Sequence, residues 1–569
     1  MIICQTECKL ERKVGQERFS FDAIVVGSGI TGGWAAKELC EKGLKTVLLE
    51  RGRDLEHVSG YHTATQAPWE FPHRSALTPE EKNIHKIQTR HFSIKEENKH
   101  LYVNDLENPY HETQRYDWIR ADVLGGRSLL WGRMSFRWSD HDFEANAKDG
   151  LGIDWPIRYK DIATWYEYVE RFVGISGQAA GIPTLPDSIF QQAMPLNCIE
   201  DTLKQKVEQA FPKRHVIPGR VANLTQPLPG RSACQYRNLC DRGCPYGAYF
   251  STQSSTLPAA KATGNLTVRT NALANRIIYD EHSGKAVGVE IIDTNNGQTY
   301  EYKAKVIFIN AAALGSAFLL LNSKSRRFPN GLGNNHDVVG RYLMDHHRSG
   351  AVTGSFDGFE DKYYFGRKPT GFFIPRFVNY DNDKRDYVRG YNCQGNGVRG
   401  KQKAEGIGTE LKSLLSEPGK WQIGMNAYGE CLPYAENRVT LHPTLKDKFG
   451  RPALSIDCSF KENERKMRDD SVLTMQEMLE AAGAKDIKVV GSMSVPGNAN
   501  HEMGTIRMGN DPERSVLDKW NRMHDVPNVY VTDGSCMTSS ASVNPSLTYM
   551  ALTARAADHA VRALKKGDI

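Results

Sequence analysis

With 569 residues, 40% hydrophobic and 25% charged, the chain has a globular composition and is too long for one ordinary core, so two domains or one large interwoven pair are expected. Its net charge of +6 comes from 73 basic and 67 acidic side chains, with no basic block interleaved with aromatics, which argues against a nucleic-acid partner. No stretch is long and apolar enough to span a bilayer: the nearest, Val306 to Leu321, is broken by Asn310, Gly315 and Ser316.

Residues Met1 to Arg12 lack the apolar core of a signal peptide and carry no twin arginine, which makes a cytoplasmic location the default expectation. From Ala23 to Val26 the chain reads as a buried parallel strand, and Gly27, Gly29 and Gly32 follow it in G-x-G-x-x-G register. The first glycine permits a tight turn, the second lets backbone approach a pyrophosphate, and the third lets the next helix pack on the strand, its free N–H groups facing the anion. Gly43 ends that helix, Lys45 to Leu49 forms a second buried strand, and Glu50 stands at its carboxyl end, where an acid accepts both ribose hydroxyls. A dinucleotide site is therefore expected at the amino end.

Arg51 to about Trp118 is polar and aromatic without sustained periodicity, an ordered excursion that either covers the cofactor or contacts a partner. A second glycine turn, Gly125-Gly126-Arg127-Ser128, enters an apolar segment that includes Trp131 and Gly132, and can bring more backbone donors to a phosphate. Ile162, Trp165, Tyr166, Val169, Phe172 and Val173 mark one amphipathic helix with aromatics suited to a core. Another helix is expected over Glu200 to Ala210.

Cys234, Cys240 and Cys244 fall in a C-x5-C-x3-C-P pattern whose ending is of the ferredoxin type. Three local thiols are one short of the usual structural zinc site but match the ligand count of a three-iron, four-sulfur cluster; the alternative is three reduced cysteines in a tight loop. Thr267 to Val306 reads as an antiparallel hairpin turning at His282 to Gly284 and feeding a buried strand from Val306 to Asn310. Strands are then expected at Val352 to Phe356, Phe372 to Val378, Ile423 to Glu430 and Arg438 to Leu441. In Met344-Asp-His-His-Arg348 adjacent histidines point to opposite faces, so His346 and His347 do not easily share a metal; one of them suits a pocket or a buried hydrogen bond. Glu430 is either a polar wall residue or a surface or structural one.

The last eighty residues carry His501-Glu-Met-Gly-Thr505, the strand Val529 to Val531 ending in Asp533-Gly534, and Asn544-Pro545-Ser546 opening a closing helix. The helix would aim its N-terminus at the cofactor, with His501 and Asn544 at the reactive ring.

Taken together, these motifs are similar to those of the glucose-methanol-choline family of FAD-dependent oxidoreductases over nearly the whole length. The resemblance implies a Rossmann-type α/β FAD-binding domain (19–60, 112–150, 225–327 and 525–569) interwoven with a mixed-sheet α+β substrate-binding domain (151–224 and 328–524), with 61–111 as cover. It implies cofactor contacts from Gly27, Ser28, Gly29, Thr31, Gly32, Glu50, Arg51, Gly125, Gly126, Ser128, Trp131, Gly132, Ala272, Asp533, Gly534, Asn544, Pro545 and Ser546. Catalysis is implied at His501, which takes or poises the hydroxyl proton as hydride leaves for flavin, and at Asn544, which binds the substrate oxygen. His346 and Glu430 are candidate substrate walls.

Pyranose-oxidising members hold a flavin-bonded histidine where this chain has Leu130, which implies non-covalent FAD. The cysteine spacing resembles that of bacterial sugar dehydrogenases with a 3Fe-4S cluster, and among these most closely the glucoside 3-dehydrogenases, which form 3-keto products. Oxidation of gluconate, sorbitol or fructose type, another alcohol oxidation within the family, and a redox-neutral flavin lyase are the alternatives. The same resemblance implies a small partner subunit, a cytochrome or quinone acceptor, and periplasmic co-export with that subunit as the alternative location.

Overall fold

The computed structural model describes residues 14–364, 371–401 and 405–569; the leader reading of Met1 to Arg12 lies outside the described residues. Its organising element is a seven-stranded sheet. Four strands lie parallel in the order Leu266–Arg269, Thr46–Leu49, Val14–Val26 and Thr299–Ile309. The last of these is long enough to serve two neighbours on its far side. Its first half pairs antiparallel with Lys285–Asp293, which pairs with Ala272–Asp280, and its second half pairs parallel with Val529–Val531.

Register sets Ala23 beside Val306 and Ile307 beside Val529, so the amino-terminal and carboxyl-terminal strands end at one edge. Both faces of these strands are covered, which is why they read as continuous apolar runs: Ala23, Ile24, Val25, Val306 and Val529 are all fully buried. The fingerprint helix Ile30–Glu41 packs against the helix Thr256–Ala262 and the closing helix Ser546–Lys566. The expected aromatic helix runs Tyr159–Val173 and packs on the closing helix, with the Tyr166 hydroxyl 2.7 Å from Thr548 Oγ1.

One boundary differs from expectation. Thr267 and Val268 pair with Thr46–Leu49 at the parallel edge of the sheet, not with the hairpin, because the chain turns at Asn271, whose φ of 53° breaks the strand before Ala272.

The second sheet has six strands, in the order Lys485–Val490, His347–Phe356, Pro418–Gly429, Tyr391–Lys401, Phe372–Ile374 and Ile217–Pro218. Every pairing in it is antiparallel. Outside the first sheet, strands pair parallel in a three-stranded sheet, where His111–Glu112 adds to Pro452–Asp457, and in a two-stranded one of Ile175–Gly177 and Phe190–Gln192. The strand at Phe372 stops at Ile374 because Pro375 has no N–H to donate. Helices Cys198–Ala210 and Glu462–Ala481 cover one face of the sheet over a core that includes Leu203, Ile423, Met475 and Leu479.

The fingerprint glycines are sterically enforced. A Cβ on Gly32 would lie 1.8 Å from the Gly27 carbonyl oxygen, and one on Gly27, whose φ is 91°, would lie 2.4 Å from that of Asn310. Gly32→Ala therefore forces the fingerprint helix off the strand. The expected outcome is a loss of about 4 kcal/mol or more in unfolding free energy together with loss of bound flavin, read by denaturant unfolding and the flavin-to-protein absorbance ratio. A variant with native stability and full flavin would contradict the packing described.

Candidate active site

A cavity of about 580 Å³ opens at the shared strand edge. It is lined at one end by Gly27, Ser28, Gly29, Thr31, Glu50, Arg51 and Ala272, and at the other by His501, Asn544, Ser546, Asp533 and Gly534. Nothing occupies the space beside Gly29 where a Cβ would stand, so backbone is exposed there to a ligand. The second glycine turn meets the first: a Cβ on Gly126 would lie 3.5 Å from the Gly29 Cα.

Ser28 locks the two turns together. Its hydroxyl donates to Glu50 Oε2 at 2.5 Å and accepts from the Gly125 amide at 2.8 Å. Glu50 also accepts from the Ser28 and Gly52 amides, at 3.0 and 2.7 Å. Burial pushes its carboxyl above the usual range, and these donors pull it back.

Other expected contacts act as supports. Ser128 lines the cavity, but its hydroxyl donates to the Gly125 carbonyl at 2.6 Å and accepts from the Thr252 amide at 3.1 Å, so it braces the turn. Gly32, Gly125 and Pro545 lie behind the wall. Trp131 and Gly132 are on the wall, with the indole N–H held by the Phe250 carbonyl at 2.9 Å. Arg51 pairs with Asp122 at 3.0 Å.

At the reactive end four side chains form one directed relay. His346 Nε2 lies 2.6 Å from the Ala541 carbonyl, which only accepts, so Nε2 carries the proton and neutral His346 presents a bare Nδ1. That Nδ1 is 2.9 Å from His501 Nδ1, which must therefore donate. The lone pair of His501 consequently sits on Nε2, where it accepts from Asn544 Nδ2 at 3.1 Å. Asn544 keeps this orientation because Gln394 Nε2 donates to its Oδ1 at 2.9 Å.

Burial, then the His346 ring, Arg127 and Arg348 hold the His501 imidazole well below its ordinary 6.5, so the ring is neutral at neutral pH. Asp345 holds the His501 backbone, accepting from the amides of Gly497, Ala499 and His501 at 2.8, 3.2 and 2.9 Å. Burial and Glu502 push the Asp345 carboxyl up to about 7. Glu502 pairs bidentately with Arg127, at 3.0 and 2.7 Å, and so ties the second glycine turn to the histidine segment.

Two candidates take other places. His346, expected on a substrate wall, is buried behind His501 and acts through it. His347 points away, its Nε2 3.3 Å from Met467 Sδ. Glu430, also expected on a wall, lies outside the cavity: its strand ends at Gly429, and its carboxylate is the buried counter-charge of Arg376 at 2.9 Å and Arg389 at 3.6 Å.

The excursion covers the cavity with His91, Phe92, Ser93, Lys95 and Tyr102, and it also braces the cysteine loop, since Arg237 and Arg242 donate to the Ala64 and Gln66 carbonyls at 2.8 and 2.9 Å. Cys234, Cys240 and Cys244 line one small pocket, while Asp241 between them reaches the large cavity. Among the described residues no group of three His, Cys, Asp or Glu side chains is set to hold a metal ion.

Family models described as GMC oxidoreductase match residues 21–348 and 433–553. The chain belongs to the GMC oxidoreductase family. A 2-methyl-1,2-propanediol dehydrogenase of Mycolicibacterium austroafricanum is 30% identical over 95% of both chains. The fructose dehydrogenase large subunit of Gluconobacter japonicus is 28% identical over 97% of this chain and 100% of its own. Formate oxidase of Aspergillus oryzae RIB40 shares the fold, with a TM-score of 0.62 at 13% identity, covering 97% of this chain and 100% of that one.

As a GMC oxidoreductase the protein is an FAD-dependent enzyme acting on CH–OH donors. The cavity fits that cofactor: the open side of Gly29 suits a pyrophosphate, Glu50 lies within the wall for a ribose, and the relay stands at the far end.

The sequence did not single out Gln394, Tyr428, Arg348 or the Arg127–Glu502 pair. Only the last leaves a local trace, each member standing beside a motif residue.

The relay has two measurable consequences. Because a base works deprotonated and the folded pKa of His501 is depressed, kcat/KM of Asp345→Asn, which lacks the neighbouring carboxyl that titrates at about 7, should hold as pH falls through 6.5 and decline only well below it; half-loss near 6.5 in that profile would contradict the burial described. His346→Leu removes the acceptor that fixes the tautomer, and kcat/KM should fall about tenfold or more, as when an orienting partner of a catalytic histidine is removed. Unchanged steady-state kinetics would contradict the relay.

Proposed function

We propose that this GMC oxidoreductase is a dehydrogenase of sugars or glycosides, oxidising the C3 hydroxyl of a glucose unit to the 3-keto product. The observation that carries the reading is the unprotonated Nε2 of His501, fixed by His346 and accepting from the Asn544 amide, at the far end of the cavity from the glycine fingerprint. Nε2 takes the substrate hydroxyl proton, while the Asn544 N–H donates to the substrate oxygen and holds it in place. As the proton arrives, His501 Nδ1–H becomes a stronger donor to His346 Nδ1, which spreads the developing charge away from the cavity. FAD, when bound, supplies the hydride acceptor, held by Gly27, Gly29, Glu50, Gly126 and the start of the closing helix.

The FAD is proposed to be non-covalent. What supports this is that Leu130, an aliphatic side chain, lines the cavity in the second glycine turn.

We further propose that Cys234, Cys240 and Cys244 would hold a 3Fe-4S cluster, which would supply an exit for electrons. In support, the three cysteines line one small pocket, and the Tyr236 amide donates to Cys234 Sγ at 3.4 Å. Asp241, in the same loop, reaches the large cavity. An electron exit favours a dehydrogenase over an oxidase. It also favours a partner, read as a small subunit of the sugar dehydrogenase kind, with a cytochrome or quinone as acceptor; the location proposed is cytoplasmic, with periplasmic co-export through that subunit as the alternative.

The test is anaerobic mixing with a glycoside panel, with NMR of the products. Bleaching of the flavin with 3-keto products is expected, slowed by about 10²–10⁴-fold in His501→Ala; a flavin that stays oxidised with every sugar would remove the reading. Acid precipitation should release all the flavin. Iron and acid-labile sulfide should appear in cluster stoichiometry after anaerobic reconstitution, and Cys240→Ser should abolish transfer to the acceptor. An iron-free protein whose Cys240→Ser variant still reduces its acceptor would remove the cluster.

A further inference from the structure

Six arginines line the cavity: Arg51, Arg120, Arg127, Arg133, Arg348 and Arg451. Four are neutralised by carboxylates, Asp122, Asp105, Glu502 and Asp447 respectively for Arg51, Arg120, Arg127 and Arg451, at 2.7 to 3.2 Å. Arg133 is buried with its guanidinium 5.0 Å from the Tyr249 ring.

Among the described residues neither Arg133 nor Arg348 has a carboxylate within ion-pair distance, and the Nε of each is buried without a hydrogen-bond partner. Of the two, Arg348 is the one that shares a tyrosine neighbour with His501. Its one side-chain hydrogen bond is a long contact of 3.5 Å from Nη1 to Asn498 Oδ1. The guanidinium lies 5.3 Å from the Phe92 ring and 5.8 Å from the Tyr428 ring. Tyr428 in turn lies 6.1 Å from the His501 ring, so base and guanidinium flank one tyrosine.

A half-buried cation without a counter-charge is unfavourable in the free protein, since burial weakens its hydration and nothing replaces it. Four carboxylates of the cavity wall are bound elsewhere. Glu502 and Asp447 are committed to Arg127 and Arg451, Glu50 to Ser28 and Gly52, and Asp533 to Ser316 and Ser535. The exposed Lys95 on the same wall adds positive charge. Held between two aromatic rings, the planar fork is pre-organised for a planar, bidentate acceptor.

We propose that Arg348 receives a carboxylate of the substrate, so that the alcohol oxidised at His501 belongs to a sugar acid or to a glycoside carrying one. The inference rests on the dehydrogenase reading above and narrows its substrate class. A neutral sugar fills the same cavity but leaves the guanidinium uncompensated. A carboxylated one neutralises it and, with the hydroxyl at His501 Nε2, is fixed at two points, which sets the carbon presented for oxidation.

Matched pairs test this: glucose against glucuronate, methyl glucoside against its glucuronide, and cellobiose against cellobionate, followed by anaerobic flavin bleaching and dye-coupled turnover at low salt. At least one acidic member should exceed its neutral partner tenfold or more in kcat/KM. Arg348→Gln should lower that acid-to-neutral ratio at least tenfold through KM, Arg348→Lys should keep part of it, and added salt should narrow it. Bleaching by neutral sugars with no preference for any acid, or a ratio unchanged in Arg348→Gln, would overturn this inference while leaving the dehydrogenase reading standing. Bleaching by no sugar of either kind would overturn both. Should Arg348→Gln fail to fold, the wild-type ratio and Arg348→Lys decide the question.

Discussion

The structure depends on the pairing of one strand, Thr299–Ile309, with both ends of the chain. On one side its residues Val306 to Ile309 run parallel to Ala23 to Val26, and on the other Ile307 to Ile309 run parallel to Val529 to Val531. Parallel strands present their carboxyl ends at the same edge, and ligands of such sheets bind outside that edge. Some five hundred residues of intervening chain are therefore irrelevant to the distance between Gly27 and Gly534: both line one cavity. The central strand is fully buried from Val306 to Ile309, covered on both faces as a strand between parallel neighbours must be.

Catalytic competence then rests on direction rather than proximity. An imidazole beside an amide can carry its proton on either nitrogen, and only one choice leaves a base facing the substrate. Here a backbone carbonyl, which cannot donate, fixes the choice at the far end of the relay, and each member passes it on through His346 and His501 to Asn544. The same burial that makes the relay unambiguous depresses the His501 pKa, trading basicity for a lone pair that stays free over a wide pH range. Arg127 and Arg348 work in the same direction by disfavouring a second proton. Arg127 is itself neutralised by Glu502, whereas Arg348 is left to be neutralised by whatever enters.

What could be read from the sequence follows how far each signal reaches along the chain. The fingerprint is local, so Gly27, Gly29, Gly32 and Glu50 announce themselves by order and spacing, and the cavity at Glu50 lies where they put it. His501 and Asn544 are legible only through motif resemblance, since nothing within forty residues explains why a histidine and an asparagine should meet. The partner that orients them, His346, comes from a third distant segment, and its neighbours in sequence left a pocket and a buried hydrogen bond as alternatives without naming the partner. Of the two roles left open for Glu430, the structure bears out the structural one. Strand alternation puts it in phase with Tyr428, which does line the cavity, but the strand ends at Gly429, whose Cβ position is taken by the His347 ring, and Glu430 turns to two buried arginines. Thr267 and Val268 show the same limit: alternation identifies a strand without saying which neighbour in the sheet it pairs with.

The central claim is that the first fifty and last seventy residues grip one flavin nucleotide with the His501 lone pair turned toward its reactive ring. A crystal structure of the flavin-loaded protein tests it most directly. The account predicts the pyrophosphate beside Gly29, the ribose hydroxyls at Glu50, and the isoalloxazine edge facing His501 Nε2 and Asn544. A flavin whose ring lies elsewhere in the cavity, or a His501 ring rotated so that Nε2 faces His346, would contradict it.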